Sequence, residues 1–205
     1  MEIYIQTIIS DMAKSVESRT HKNENVQVLV TNHNRYYTVI FRGTERKGKD
    51  ILHDISIWPS SESDYMPRGC SGFKDHAMLG CDALMEDQFI DTDKPIIMGG
   101  HSLGGIASYF AACYLEMQNW NVVGWVGCGV PNGLWLSEHE AGFICKSYVY
   151  EEDIITKIPP GWLGFRPPVE PTQLGEWNGT GDINDHDLEF YIGYIPRNAK
   201  LTIED

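Results

Sequence analysis

The sequence predicts an α/β fold with a mainly parallel central sheet and helices on both faces. Three observations support this prediction. Short apolar runs of strand length alternate with stretches of helical spacing, one of the strands ends in a glycine-rich turn that opens a helix, and the composition is globular. The 205 residues are 42% hydrophobic and 22% charged, which suits one domain over residues 1–205 with a core of its own.

Two patterns open the chain. Apolar residues recur at helical spacing over residues 3–18 and predict a helix. Alternating valines over 26–30, a polar turn at 32–35 and renewed alternation over 37–41 predict a hairpin or two adjacent strands.

The middle of the chain alternates between strand and helix patterns. The apolar run Ile96–Met98, followed by two glycines, predicts a buried strand. Residues 105–118 are rich in Ala, Tyr and Leu and contain no proline, which predicts a buried helix. The apolar runs at 122–126 and 147–150 predict two more strands.

The last third of the chain has weaker patterns. Residues 158–181 are rich in Pro and Gly and predict a long loop, a feature that is often functional in a compact domain. Residues 188–205 have room for one helix or strand and a tail.

The charge excludes some classes of partner. Sixteen basic and 29 acidic residues give a net charge of −13. This surplus argues against nucleic-acid binding and against electrostatic docking on an anionic membrane, while transient apolar contact with lipid surfaces stays open. The sequence gives no indication of oligomeric state.

The cysteines and the first residues indicate the compartment. Five cysteines cannot form a complete intrachain disulfide framework, and their spacing matches no zinc motif. The chain begins without the basic segment and apolar run of a secretory signal. No apolar stretch reaches the roughly 20 residues that span a bilayer. We therefore expect a cytoplasmic protein, with export by another route left open.

The segment from Gly100 to Gly105 reads G-H-S-L-G-G and matches the G-x-S-x-G nucleophile elbow. A serine that attacks an ester must project from a tight strand-to-helix turn, and glycines on either side remove the collisions that such a turn creates. The apolar strand before Ser102 and the helical pattern after it fit this context. The alternative is a glycine-rich turn whose serine only caps the helix. A phosphate-binding loop is disfavoured because its Gly-Lys-Ser/Thr ending is absent.

A serine hydroxyl needs a base and an acid to become a nucleophile. Two histidines follow the elbow, His139 in a polar stretch and His186 after the long loop, and the second suits a base presented over a sheet edge. Asp153 is the best-placed acid because it follows the predicted strand 147–150 and precedes the apolar pair Ile154-Ile155, at the carboxyl end of a strand where open α/β sheets build their sites. Other carboxylates compete with it: Glu151, Glu152, Asp182, Asp185 and Asp187.

Seven separated segments resemble, in order, the motifs of the class 3 lipase family, the fungal-type triacylglycerol lipases. The resemblance covers residues 26–191. At Cys70 the family often has a histidine, so no catalytic role is carried over to that position. The segments are 41–44 (FRGT), 50–55 (DILHDI), 69–73 (GCSGF), 100–105 (GHSLGG), 127–133 (GCGVPNG), 149–160 (VYEEDIITKIPP) and 185–186 (DH).

The resemblance implies an α/β-hydrolase fold and a serine hydrolase that cleaves acyl esters of lipids through an acyl-enzyme, with neither metal nor cofactor. It implies a catalytic triad of Ser102, Asp153 and His186. It also implies an oxyanion hole formed by Thr44 and by the backbone N–H of Leu103. In the same family pattern, Asp54 would hold the hydroxyl of the oxyanion residue.

Two further segments bear on the substrate. Apolar residues over 51–58 fall on one side of a short helix that is either a lid or a helix packed permanently on the core. Trp162, Phe165 and Trp177 either line an acyl pocket or fill the core beneath the long loop. Because the chain is shorter than typical fungal members, we expect shorter acyl chains or an open groove.

Two other classes of function stay open. One is an acyltransferase or amidase on the same triad, because the elbow fixes acyl transfer and not the acceptor. The other is a non-catalytic relative that binds lipid or another protein. The expected partner is a small-molecule or lipid ester.

Overall fold

The computed structural model describes residues 1–17, 21–23, 26–43, 58–60, 66–136, 140–151, 153–176 and 186–203. The described helices are α1 (Ile5–Glu17), α2 (Ser71–Met85), α3 (Leu103–Met117) and α4 (Leu188–Tyr194), with 3-10 turns at Ile154–Lys157 and Gly161–Leu163. The described strands are β1 (Glu2–Tyr4), β2 (His21–Asn23), β3 (Val26–His33), β4 (Tyr36–Phe41), β5 (Pro59–Ser60), β6 (Gly69–Cys70), β7 (Ile96–His101), β8 (Val122–Cys128), β9 (Leu134–Trp135), β10 (Ile144–Tyr150), β11 (Phe165–Arg166), β12 (Thr172–Leu174) and β13 (Lys200–Thr202).

A seven-stranded sheet organises the described part of the chain, in the order β12-β10-β8-β7-β4-β3-β2. Each pairing from β12 to β4 is parallel, and β3 pairs antiparallel with both β4 and β2. The prediction of a mainly parallel sheet is confirmed. Because parallel strands end at one common edge, residues that follow β7, β8 and β10 are brought together there.

The sheet buries apolar side chains on both faces, since successive strand residues point to opposite sides. In β4, Val39 and Phe41 belong to the cluster that packs under α2 and α3, whereas Ile40 between them belongs to the cluster under α1 and α4. Both clusters are closed to solvent, and each fully buried side chain of this size contributes about 1.5–3 kcal/mol. The prediction of helices on both faces is confirmed.

Most predicted elements are present with adjusted ends. The hairpin of β3 and β4 turns at Asn34, a non-glycine residue with a positive φ of 29°. The predicted helix over 3–18 is α1, preceded by the short strand β1, which pairs with β13 near the other end of the chain. Of the helix predicted over 51–58, only Trp58 is described, and it is 78% exposed.

Two predictions from the sequence need correction, and one helix was not predicted. Residues 158–181 were expected to form a long loop, but two short strands lie within them: β11 pairs antiparallel with β9, and β12 pairs in parallel with β10 as the edge of the main sheet. The segment from residue 188 holds both a helix and a strand, α4 and β13, where one element was expected. Helix α2 was not predicted.

The five cysteines are all free thiols. Burial raises the pKa of Cys70, Cys128 and Cys145 to about 12. Burial raises the pKa of Cys81 and Cys113 still further. A thiol reacts as the thiolate, so these raised pKa values disfavour reaction of the side chains at neutral pH in the folded protein.

Two features are absent from the part of the chain that the structure describes. No cluster of His, Cys, Asp and Glu there is arranged to hold a metal ion. In the same part of the chain, no helix has the length and apolar content needed to cross a bilayer.

Candidate active site

The turn between β7 and α3 holds Ser102 in a strained backbone conformation, with φ 57° and ψ −130°. Such a conformation costs about 1–3 kcal/mol and persists only where its surroundings enforce it. A Cβ on Gly100 would lie 2.5 Å from the carbonyl oxygen of Gly104, and one on Gly104 would collide with the carbonyl oxygen of Phe41. The glycines are therefore required by close backbone approach. The side chain of Ser102 caps no N–H of the described helix α3, so the helix-capping alternative is wrong.

Three predicted residues from separate elements meet at the carboxyl edge of the sheet. The Nε2 atom of His186 lies 2.6 Å from Ser102 Oγ, and its Nδ1 lies 2.7 Å from Asp153 Oδ2. All three residues are buried. A carboxylate only accepts, so Nδ1 carries the ring proton and Nε2 is left to accept the proton of the serine hydroxyl.

The sheet topology explains this meeting. Ser102 follows β7 and Asp153 follows β10, with β8 paired in parallel between them. Asp153 precedes the 3-10 turn at 154–157, where its Oδ1 accepts the N–H of Ile155 at 3.0 Å. The hydroxyl of Thr156 donates to the carbonyl oxygen of Asp153 at 2.7 Å. The carboxylate is therefore held from its own side of the site as well as by His186.

The other acids and the other histidine considered from the sequence are not seen in the hydrogen-bonded set of Ser102, His186 and Asp153, as far as the structure describes them. Glu151 and Asp187 are described, and neither is bonded to the ring of His186. His139, Glu152, Asp182 and Asp185 lie outside the described residues.

Tyr191 is a further member of the site that the sequence reasoning missed. Its hydroxyl donates a short hydrogen bond to Asp153 Oδ2 and accepts the N–H of Tyr150 at 3.3 Å. Burial and the neighbouring charge of Asp153 raise the pKa of Tyr191 well above its ordinary value. The phenol therefore stays protonated and remains a donor. No motif marks this position, because the contact depends on where α4 packs.

His101, the residue before the nucleophile candidate, packs against the ring of His186. The two ring centroids are 4.7 Å apart, with 34° between the planes. The Nε2 atom of His101 is buried without a hydrogen-bond partner in the described structure. Burial, with a smaller contribution from His186, lowers the pKa of His101 to about 3. The ring is thus neutral at any pH where His186 acts as a base.

Comparison with known proteins finds similar structures but no similar sequence family. No family model matches the sequence, and no curated protein matches it. The structure is similar to that of a Rhizomucor miehei lipase deletion mutant in its propeptide complex, with a TM-score of 0.62 and 18% identity over 77% of this chain. A lipase from Yarrowia lipolytica gives a TM-score of 0.56 and 18% identity, also over 77% of this chain.

A triacylglycerol lipase, described as having a serine-protease triad at its catalytic centre, gives a TM-score of 0.63 and 16% identity over 86% of this chain. The chain has the α/β-hydrolase fold. The resemblance to fungal lipases is thereby confirmed at the level of the fold. The match spans 54% of the Rhizomucor chain, 64% of the Yarrowia chain and 84% of the third.

Within this fold, the oxyanion hole expected from Thr44 and Leu103 is described in part. Leu103 is the first residue of α3, where backbone N–H groups have no acceptor inside the helix and the helix dipole favours negative charge. Thr44 lies outside the described residues. Gly43 is described, and it lies directly against the elbow, where an added Cβ would stand 3.6 Å from Ser102 Cβ.

The three aromatic residues considered for an acyl pocket have different environments. Phe165 is buried in the core cluster under α2 and α3, so the core-filling alternative holds for it. Trp162 is 83% exposed. Trp177 lies outside the described residues, as does the segment 51–57 that was considered for a lid.

Proposed function

We propose that this chain is a serine carboxylic-ester hydrolase of the lipase and esterase kind, with Ser102 as nucleophile, His186 as base and Asp153 as the acid that orients it. The observation that carries the proposal is the continuous hydrogen-bonded chain from Asp153 through His186 to Ser102 on a strained elbow. A serine that only caps a helix needs neither the hydrogen-bonded chain nor the strained backbone. The lipase folds that this structure resembles add support.

The geometry supplies each proton transfer of an acyl transfer. His186 Nε2 takes the proton of Ser102 as Oγ attacks the ester carbonyl, and the carbonyl oxygen gains the negative charge of a tetrahedral intermediate. His186 then gives this proton to the departing alkoxide, and the C–O bond of the ester breaks to leave an acyl-serine. Water then attacks the acyl-serine and gives a proton to His186, which returns it to Ser102 Oγ as the acyl–oxygen bond breaks and the acid is released.

Two charges develop during these steps, and different groups stabilise each of them. Asp153 accepts from Nδ1 and stabilises the imidazolium that forms at His186. We assign the N–H of Leu103, at the amino end of α3, as one donor to the oxyanion and Thr44 as the second. One oxyanion donor is worth about 10²–10³ in rate. Since His186 must be neutral to accept a proton, activity falls on the acid side.

The proposed substrates are acyl esters, with lipid esters as the natural class and shorter acyl chains preferred. No described feature favours an amine or alcohol acceptor over water, so hydrolysis is the proposed outcome. The intact hydrogen-bonded chain argues against a non-catalytic binding protein, because such a protein gains nothing from keeping the strained serine beside a base.

The deciding experiment is labelling with a fluorophosphonate probe followed by peptide mass spectrometry. We expect a single adduct on Ser102, and we expect Ser102→Ala to remove both the label and at least about 10⁴-fold of the rate on a p-nitrophenyl ester. The matched control is Ser147→Ala, which removes another buried hydroxyl, one without a hydrogen-bond partner in the described structure. A folded wild-type protein that takes no label, or a Ser102→Ala variant that keeps its rate, would contradict the proposal.

A further inference from the structure

One oxygen of the Asp153 carboxylate receives two side-chain donors. Oδ2 lies 2.7 Å from His186 Nδ1 and also accepts the short hydrogen bond from the hydroxyl of Tyr191. The other oxygen, Oδ1, accepts the backbone N–H of Ile155. The two hydrogen-bonding directions of Oδ2 are therefore shared between the base and a phenol.

Tyr191 is held in place from several sides. It is completely buried in the cluster under α1 and α4, and the N–H of Tyr150 donates to its hydroxyl oxygen. The absence of a side chain at Gly129 leaves it room, because a Cβ there would lie 3.0 Å from the hydroxyl and 3.2 Å from Asp153 Oδ2. The phenol is thus fixed in direction and cannot swing away from the carboxylate.

Few ionisable groups face this carboxylate and its partner ring. Among the described residues, His101 packs on the ring of His186, Tyr191 donates to Asp153, and Cys128 lies close enough to Tyr191 to act on its pKa. His101 and Cys128 are neutral near pH 7, because burial lowers the pKa of the first to about 3 and raises that of the second to about 12. The charge on Asp153 is therefore moderated chiefly by hydrogen bonds.

We propose that Tyr191 is a positioning residue for acyl transfer, acting through Asp153. Its hydroxyl fixes the rotation of the carboxylate so that Oδ2 faces Nδ1–H of His186, and it draws part of the negative charge away from that ring. The inference rests on the proposed function for its effect on turnover. Its effect on the protonation of the histidine is independent of any substrate.

Removing the phenol hydroxyl has two consequences. The carboxylate is freer to rotate, so the ring of His186 spends less time in line with Ser102. The full charge of Oδ2 then faces the ring, which favours the imidazolium because an opposite charge nearby stabilises the charged form. Both consequences follow from one hydroxyl and leave the substrate-binding surface unchanged.

The test is Tyr191→Phe, with Tyr194→Phe on the same helix as the matched control. Tyr194 is about half exposed and packs at a tilt against the ring of Tyr150. In Tyr191→Phe we expect kcat to fall about three- to tenfold with KM within about twofold. We also expect the acid limb of the kcat profile to move up by about half a pH unit to one unit. Tyr194→Phe should change neither.

Two further measurements separate this role from a structural one. Titration of the His186 ring followed by NMR should show its midpoint moved to higher pH in Tyr191→Phe, whether or not the protein hydrolyses any ester. In an Asp153→Asn background, the same tyrosine change should alter kcat by less than about twofold, since the carboxylate through which it acts is gone. An unmoved midpoint in a folded Tyr191→Phe protein, or an equal loss of kcat in both backgrounds, would overturn the inference.

Discussion

Two aspartate–histidine pairs in the described structure, each with a buried carboxylate, have almost the same composition and very different surroundings. Asp11 lies 2.7 Å from His33, and Asp153 lies 2.7 Å from His186. Both carboxylates are completely buried, and each pair has a hydroxyl within hydrogen-bond distance of the histidine. The pairs differ in how that hydroxyl is connected.

In the Asp11 pair, one ring nitrogen does all the bonding. His33 Nε2 faces both Asp11 Oδ2 and the hydroxyl of Thr38, and the threonine donates its proton to the carboxylate at 2.7 Å. In the Asp153 pair, the ring bridges, with Nδ1 on the carboxylate and Nε2 on the hydroxyl of Ser102. Only the bridging arrangement can pass a proton from hydroxyl to ring while the carboxylate stabilises the charge.

The two hydroxyl residues, Thr38 and Ser102, also differ in backbone conformation. Thr38 sits in β4 with ordinary strand pairing, opposite Thr31 in β3. Ser102 sits on the strained turn at the carboxyl edge of the sheet. The comparison teaches that an aspartate–histidine pair indicates catalysis only when its second nitrogen and a projecting nucleophile come with it.

The largest expected effect is on kcat, when the aspartate of each pair is changed to asparagine. Asp153→Asn should lower kcat on a p-nitrophenyl ester by about 10⁴-fold, because the ring loses the acceptor that fixes its tautomer and stabilises its charge. Asp11→Asn, the matched change in the other pair, should leave kcat within about twofold, since Asp11 is not bonded to the ring of His186. Parallel thermal melts would show that both variants are folded. Similar losses of kcat in the two variants would contradict the distinction.

A second test of the comparison uses His76, a histidine outside both pairs, and measures the pH dependence of the free energy of unfolding. Burial lowers the pKa of His76 to about 4, and its Nε2 lacks a partner in the described part of the chain. Below pH 6.5 the unfolded chain binds a proton at this ring while the folded protein does not, so the free energy of unfolding decreases as the pH falls towards 4.

His76→Phe removes this proton uptake. The loss in unfolding free energy between pH 7 and pH 4.5 should shrink by about 2 kcal/mol relative to wild type, as measured by urea denaturation. His33→Phe serves as the comparison variant because that ring is paired with Asp11. An unchanged pH dependence in His76→Phe would show that the ring is already protonated or hydrated in the folded state.

The smallest effect concerns the rim of the Asp11 pair. Lys14 lies 3.0 Å from Asp11 Oδ1, with its side chain 60% exposed. Exposed partners of this kind contribute little, so Lys14→Ala should change the free energy of unfolding by no more than about 0.5 kcal/mol and leave kcat unchanged. Urea denaturation at low and moderate salt checks this value. A loss above about 2 kcal/mol would mean that the buried carboxylate depends on the lysine for its charge balance.

Local patterns were enough to predict much of the fold. The alternation in β3 and β4, the apolar run of β7 and the proline-free stretch of α3 each contain their own signal, because strand and helix periods are written in consecutive residues. The elbow was predictable for the same reason, since the glycines flanking Ser102 satisfy a constraint within six residues.

The remaining elements depend on distant partners. β12 lies in a Pro-rich segment and becomes a strand by pairing with β10, a contact that no local pattern shows. Helix α2 carries glycine within its buried face, at Gly80 against Phe41, which weakens its helical pattern. These elements needed the packed structure to be recognised.

The candidate site divides in the same way. The position of Asp153 between a strand and the apolar pair Ile154-Ile155 favoured it over the other candidate acids. The structure brings it within hydrogen-bond distance of His186. Tyr191 could not be found, because its link to Asp153 spans 38 residues and passes through the packing of α4. The catalytic roles, and the part assigned to Thr44, stay predictions until the variants are measured.

The five cysteines allow local unfolding of this protein to be followed by alkylation. Alkylation needs both access and the thiolate, so at neutral pH the four buried thiols react only after the segment around each separates from its neighbours, whereas Cys145 is partly exposed. Cys70, Cys81, Cys113, Cys128 and Cys145 are spread over strands and helices on both sides of the main sheet. The order in which they gain mass under mild denaturant therefore gives a map of which parts of this fold come apart first, with no label introduced.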